Sequence, residues 1–184
     1  MSRLTVYADA APERALLTTT DGAAMAQALS EIGVVFERWK AGQTLAADAD
    51  DQTVLDAYAA DVERLKAEGE YVTVDVLRML PDNPKANELR AKFLFEHAHA
   101  EDEVRFFVEG AAQFYLHKSG KVFAVACEAG DLISVPAKTP HWFDMGPRPR
   151  FTAIRLFLSP EGWVAEASGS DIAGRFPLFE PAPA

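Results

Sequence analysis

The sequence predicts a mainly β protein, a barrel or sandwich of short strands entered through a mixed lead-in with a few helices. Three observations predict it. After Phe93, short apolar and β-branched runs recur, with corners at Gly110, Ser119-Gly120, Ala129-Gly130 and Gly146-Pro147; regularly spaced short strands argue for a sandwich or barrel. Before Phe93, apolar residues recur at helical spacing in separate segments. Finally, 184 residues with 49% hydrophobic content suffice for one full core. The expected organisation is one domain over residues 1–184: a lead-in over 1–92, a β core over 93–158 and a C-terminal segment over 159–184.

Leu4-Thr5-Val6-Tyr7 reads as a short strand. Asp21 to Ile32 reads as a helix: Asp21 caps it, Met25, Leu29 and Ile32 share a face, and Gly33 ends it. Val34–Trp39 reads as a strand and residues 41–50 as a loop. The clearest helix runs from Asp51 to Gly69, with Val54, Tyr58, Val62 and Leu65 on one stripe. Asp50 and Asp51 at its start and Lys66 near its end suit the helix dipole. Val72–Leu80 is a strand, Pro81-Asp82-Asn83-Pro84 a turn and Lys85–Lys92 a short helix. The core strands are Phe93–His97, Glu103–Glu109, Ala112–His117, Lys121–Cys127, Asp131–Val135, His141–Met145 and Phe151–Leu158. In the proline-rich tail, Phe176 and Phe179 are expected to dock on the barrel, and the last few residues to fray.

A net charge of −10 and a pI near 4.8 argue against nucleic acid or an anionic membrane as partner. The single cysteine, Cys127, excludes an internal disulfide and reads as a buried small hydrophobe. No signal peptide is evident, and no apolar stretch approaches the ~20 residues of a spanning helix. The expectation is a soluble, cytoplasmic, monomeric protein.

The chemistry concentrates in Glu96-His97-Ala98-His99-Ala100-Glu101-Asp102-Glu103-Val104-Arg105. Two of the four histidines lie here, one residue apart, with a carboxylate following. In one continuous strand register, odd-numbered His97, His99, Glu103 and Arg105 would share a face. Two imidazoles and a carboxylate there make a nitrogen/oxygen metal site; the same His-x-His on an exposed strand is surface decoration. Further on, Gly130 to His141 reads as turn, strand, proline-bounded turn and histidine, a path that can return His141 to the first three groups. Glu96 and Asp102 have the opposite parity and point away, either to orient a histidine or to solvent. Phe93, Phe107 and Phe143 are candidates for a pocket wall, or plain core. Arg105 is a candidate catalytic residue, or a strand arginine paired with Glu101 or Glu109. His117 reads as an exposed turn histidine at a strand end.

These stretches resemble the two cupin motifs. His97-x-His99, three residues, Glu103, six residues and Gly110 match the first; Gly130, five residues, Pro136 and then His141 match the second. Ala91, Lys138 and Met145 depart from the common Gly, Gly and Asn. Glu96 to Phe106, followed by Pro136 to Phe143, resembles the acireductone dioxygenase family more narrowly. The resemblance implies a cupin jelly roll, a double-stranded β-helix barrel. It implies one iron(II) or nickel(II) ion per chain on His97, His99, Glu103 and His141. Four ligands leave two positions open on an octahedral ion; a closed four-coordinate zinc site is the alternative. It further implies Arg105 stabilising an enediol dianion, and Glu96 and Asp102 acting in metal loading.

The implied reaction is cleavage of 1,2-dihydroxy-5-(methylthio)pent-1-en-3-one by dioxygen, in methionine salvage. The iron form would give 4-methylthio-2-oxobutanoate and formate, the nickel form methylthiopropionate, formate and carbon monoxide. The alternative is another metal-binding cupin, either a different small-molecule dioxygenase or isomerase or a non-catalytic ligand-binding module.

Overall fold

The computed structural model describes residues 1–46 and 48–181. The chain opens with antiparallel strands β1 (Arg3–Ala8) and β2 (Ala11–Thr19). Helix α1 (Gly22–Ser30) follows, capped by Asp21, whose carboxylate accepts the Ala24 N–H at 2.8 Å. Strand β3 (Val35–Arg38) comes next, then α2 (Asp51–Ala57), α3 (Ala59–Glu68), β4 (Thr73–Met79) and α4 (Ala86–Phe93). The rest is β5 (His97–Ala98), β6 (Glu103–Lys118), β7 (Lys121–Glu128), β8 (Asp131–Val135), β9 (His141–Asp144), β10 (Arg150–Phe157) and β11 (Glu166–Ala167). A short 3-10 turn, Ile172–Arg175, precedes the tail. No described helix is long and apolar enough to cross a membrane.

The eleven strands described form one sheet with β6 at its centre. The first half of β6 pairs with β8 and β10, its second with β7 and β9. Around these, β4 extends β10, β3 extends β8, β1 and β2 extend β7, and β5 and β11 extend β9. This is the jelly roll that the motifs imply. Strand alternation sends Phe107, Phe114, Leu116, Phe123, Val125, Ile133, Phe143 and Phe151 into one interior. Val104, Phe106 and Val108 face the opposite way and meet Val54, Tyr58, Val62 and Leu65 of the helices. Burying each such side chain contributes about 1.5–3 kcal/mol, so this helical cover is held by its apolar stripe.

Several elements differ from the sequence reading, each for a local reason. The helix expected over 51–69 is two helices, broken at Tyr58 (φ −116°, ψ 23°). The break seats the Tyr58 ring edge-on against Phe106 at 5.6 Å, while its hydroxyl accepts the Gln43 N–H at 3.3 Å. The apolar stripe itself is kept. Phe93 ends α4 instead of opening a strand, and the expected strand Phe93–His97 contracts to His97–Ala98. Glu103–Glu109 and Ala112–His117 form one strand, because Gly110 (φ +64°) bends it without ending it. Strand β2 was not legible: Pro12, Glu13 and Arg14 break any alternation, and its side chains are mostly exposed. It is held by backbone pairing to β1. Phe176 and Phe179 do dock, both 5% exposed. The fraying expected at the chain end falls on residues 182–184, and part of the expected 41–50 loop on residue 47, all outside the described residues.

Gly110 tests the bent strand. Any Cβ there would overlap the Arg150 carbonyl, a backbone group that cannot step aside, and φ is left-handed as well. Gly110→Ala is expected to lower unfolding stability by ~3 kcal/mol or more. Urea denaturation checks this; a loss under about 1 kcal/mol would show that the bend relaxes freely.

Candidate metal centre

Three elements bring the chemistry together. β5 and β9 pair through His97 and His141, and β9 lies against β6 with His141 opposite Leu116. His99 lies just past β5, after which residues 100–102 turn the chain before Glu103 starts β6. The single strand register expected through 97–105 is therefore absent; a turn produces the convergence instead. Two hydrogen bonds hold that turn: Lys138 N–H to the His99 carbonyl and Ala137 N–H to the Asp102 carboxylate, both at 2.8 Å. Lys138 itself has φ +59°. A left-handed residue is needed where the cupin motif commonly has glycine, and a lysine adopts it at a cost of about 1–2 kcal/mol.

His97, His99 and His141 offer ligand atoms within 4.8 Å of one another, all three buried. Their rings stand 4.6–5.3 Å apart. Each Nδ1 faces a backbone carbonyl: His97 that of Phe95 at 2.8 Å, His99 that of Val164 at 2.9 Å, His141 that of Thr139 at 2.8 Å. A carbonyl can only accept, so Nδ1 carries the proton and Nε2 presents a lone pair. Glu103 Oε2 lies 3.4 Å from His141 Nε2 and 3.9 Å from His99 Nε2. Glu103 Oε2 and His141 Nε2 are sealed from solvent with no hydrogen-bond partner. Two buried acceptors facing each other repel unless a proton or cation lies between them. These donors therefore fit a divalent first-row metal.

The other oxygen of Glu103 is engaged by Arg105, through Nε at 2.8 Å and Nη2 at 2.6 Å. Burial works to raise the Glu103 carboxyl, but Arg105 beside it wins and holds it well below the usual carboxylate range. Burial also pushes the His97 imidazole down to about 4, with His141 adding to the effect, and lowers His99. Arg105 is 2% exposed and pairs with neither Glu101 nor Glu109. Glu101 instead accepts the Ser159 N–H at 2.8 Å, and Glu109 the Thr152 hydroxyl at 2.8 Å.

Glu96 and Asp102 do point away from the cluster, but neither orients a ligand histidine through its carboxylate. Glu96 is buried between His117 Nδ1 and the Ser168 hydroxyl, both at 2.6 Å. His117 is thus a half-buried partner of Glu96 rather than an exposed turn residue. Asp102 braces the turn. Phe93 reaches the cluster's neighbourhood from a helix end, edge-on to Phe143 at 6.1 Å. Phe107 packs in the core against Phe151 at 6.2 Å. Nothing in the residue pattern marks the Phe95, Thr139 and Val164 carbonyls, since any residue supplies one. Phe114 was also missed; its ring lies 6.1 Å from His141 and 5.0 Å from Phe143, a position that alternation from His141 and Phe143 across β9 and β6 implies.

A jelly roll folded from one sheet about a bent central strand, with three clustered buried histidines and a carboxylate beside them, defines a metal-binding cupin. The chain belongs to the ARD/ARD' family, whose model matches residues 3–165. It is 61% identical over 183 residues to the acireductone dioxygenase of Parvibaculum lavamentivorans, covering 100% of both chains. It is 56% identical over 180 residues to that of Pseudomonas paraeruginosa, covering 98% of this chain and 99% of the relative. A solved acireductone dioxygenase from Bacillus anthracis, with a cadmium ion in its active centre, matches with a TM-score of 0.78 at 29% identity. That match covers 90% of this chain and 98% of the other.

The lowered imidazoles set an acid limit for the metal-free protein. An unfolded histidine takes its proton near 6.5, whereas folded His97 waits until about 4. Between those values the unfolded state binds more protons, so stability falls as pH falls through that window, by up to ~1.4 kcal/mol per pH unit for each such group. Glu103, depressed when folded, adds a further loss below the ordinary glutamate range. Urea midpoints of metal-free protein at pH 7, 6 and 5 should decline stepwise, less steeply in His97→Gln. A flat series would contradict the buried neutral imidazoles.

Proposed function

We propose that this chain is an acireductone dioxygenase of methionine salvage. It cleaves 1,2-dihydroxy-5-(methylthio)pent-1-en-3-one with dioxygen, giving 4-methylthio-2-oxobutanoate and formate in its iron form and methylthiopropionate, formate and carbon monoxide in its nickel form. The observation that carries this reading is the divided use of Glu103: one oxygen on the histidine cluster, the other on a fully buried arginine. Family membership and relatives of that name over their full lengths support it.

His97, His99, Glu103 and His141 would hold the metal, and Arg105 would act on the substrate. When bound, iron(II) or nickel(II) would supply Lewis-acid stabilisation of the anionic substrate. Charge balance explains the arginine. A divalent ion with one carboxylate carries +1, a doubly deprotonated enediol brings −2, and Arg105 restores neutrality. A charge pair ~4 Å apart at an effective dielectric of about 20 is worth ~4 kcal/mol. That lowers a substrate pKa by roughly 3 units, so Arg105 favours the dianion. Phe93, Phe107 and Phe143 would exclude water on the apolar side. Glu96 and Asp102 would serve metal loading indirectly, Glu96 by tying His117 and Ser168 to the residue before His97, Asp102 by bracing the ligand turn.

The pairing of β1 with β7, β3 with β8 and β4 with β10 supports reading residues 1–184 as one domain. A monomer is favoured by like charge between copies and by an edge strand, β2, that carries Pro12 and register shifts against β1. The single buried thiol suits a reducing, cytoplasmic setting.

Oxygen uptake with synthetic acireductone, on separated iron and nickel forms, tests the activity; no uptake by either form would sink it. Arg105→Ala is expected to retain metal but lose turnover by about 10²-fold or more, with partial recovery at higher pH, where the substrate ionises unaided. Arg105→Lys should fall between, keeping the charge without the planar fork. Full activity of the metal-loaded alanine variant at neutral pH would refute the role. Separately, chelation should lower the melting temperature, because metal at ~100 times its Kd stabilises by ~2.7 kcal/mol. An unchanged melting temperature after confirmed metal loss would argue against those ligands.

A further inference from the structure

Arg105 is held by Glu103 at a single point. Its Nε and Nη2 converge on the same oxygen, Oε1, at 2.8 and 2.6 Å. Two donors on one acceptor form a pivot: the guanidinium plane can rock about Oε1 without breaking either bond. A bidentate pair on two oxygens would resist this, but Oε2 faces the histidines. Something else must fix the plane.

Two aromatic faces lie against it. The Arg105 Cζ sits 4.3 Å from the Phe143 ring centroid and 4.8 Å from that of Phe114. The two rings are 5.0 Å apart and inclined at 62°, so together they form a notch with the guanidinium seated in it. Both rings are buried, Phe114 at 0% and Phe143 at 1% exposure. Desolvation strengthens a cation–π contact, since water no longer competes for the charge. Within this seat Nη1 is buried and has no hydrogen-bond partner. An orphaned charged donor inside a protein is expensive unless a ligand completes it. Nη1 is therefore the group left for an anionic oxygen of the substrate.

From this geometry we infer that Phe114 is a positioning residue: with Phe143 it stops Arg105 rocking about Glu103 and aims Nη1 at the bound anion. The inference rests on the proposed role of Arg105 in the dioxygenase reaction. Phe114 touches both halves of the site, because its ring also lies 6.1 Å from the His141 ring. It acts through Arg105 and does not itself meet the reacting atoms.

The test uses Phe114→Leu, which keeps an apolar side chain but removes the ring face, with Phe114→Tyr as the conservative rescue. The first readout needs no turnover. In nitrogen-15 spectra of the metal-free protein, the Arg105 Nη protons should lose part of their ring-current shift in Phe114→Leu. Their exchange with water should quicken roughly 10- to 30-fold, the factor a desolvated cation–π contact corresponds to. The second readout is kinetic: kcat should fall by a similar roughly 10- to 30-fold factor, with metal content and KM little changed. Phe114→Tyr should restore both. Phe114→Met serves where the leucine variant does not fold. Unchanged Arg105 signals and unchanged kcat in Phe114→Leu, beside an inactive Arg105→Ala, would overturn the inference while leaving the dioxygenase reading intact. A fully active Arg105→Ala would instead overturn the role of Arg105, and the positioning of it by Phe114 with it. Loss of kcat matched by loss of metal would show that Phe114 supports His141 alone, which also overturns the inference.

Discussion

The structure depends on a buried carboxylate that faces two ways. Glu103 gives one oxygen to Arg105 and turns the other toward His99 and His141. A buried ion pair is a doubtful source of stability, because desolvating both charges offsets most of their attraction. Here the arrangement makes sense as preparation for chemistry. The arginine keeps the carboxylate ionised inside an apolar barrel, and the ionised carboxylate is what a divalent ion needs. The same pair places a permanent positive charge beside the histidine cluster, which the proposed reading assigns to an anionic substrate.

The histidines are prepared in a different way. Their protons are fixed by carbonyls from three places: just before β5, just before β9 and in the C-terminal segment. Each carbonyl selects one tautomer and one ring orientation, so the lone pairs are aimed before any ion arrives. Burial keeps His97 and His99 neutral. The scaffold thus removes proton competition and rotational disorder from the ligand set, at the expense of acid tolerance in the metal-free state. Strand β11 and the Val164 carbonyl also make the segment after β10 part of the centre, although it follows the barrel in sequence.

Much of this was legible because it rests on residue type and spacing. His97, His99, Glu103 and His141 are rare groups at diagnostic separations, and glycines or prolines mark the turns between strands. The buried stripe Val54, Tyr58, Val62 and Leu65 was legible for the same reason, since periodicity survives a break in the helix. The break itself was not, because it follows from Phe106, a residue far away in the chain that packs on Tyr58. Strand β2 was hidden because pairing with β1, not its own side chains, makes it a strand. The register from His97 to Arg105 reads as continuous across residues outside the expected strands, because alternation and a tight turn can bring the same residues together. Lys138 shows the limit from the other side: the motif's departure from glycine changed the residue but left the backbone in the left-handed region. Carbonyl partners have no sequence signature at all.

Trp142 follows His141 on β9 and is 1% exposed, its indole stacked on Tyr115 with the planes 8° apart. Trp163 lies next to Val164 and is 59% exposed. These two indoles therefore sit in opposite dielectric surroundings, while the third tryptophan, Trp39, lies partly buried against Phe106 with its ring N–H donated to Glu37. Once Trp39 is replaced, blue-edge emission reports the packed face of β9, and red-edge emission reports the segment that tethers His99. In a Trp39→Phe background the remaining two indoles form an optical gauge, one reporting the packing of β9 and the other the segment that carries the Val164 carbonyl.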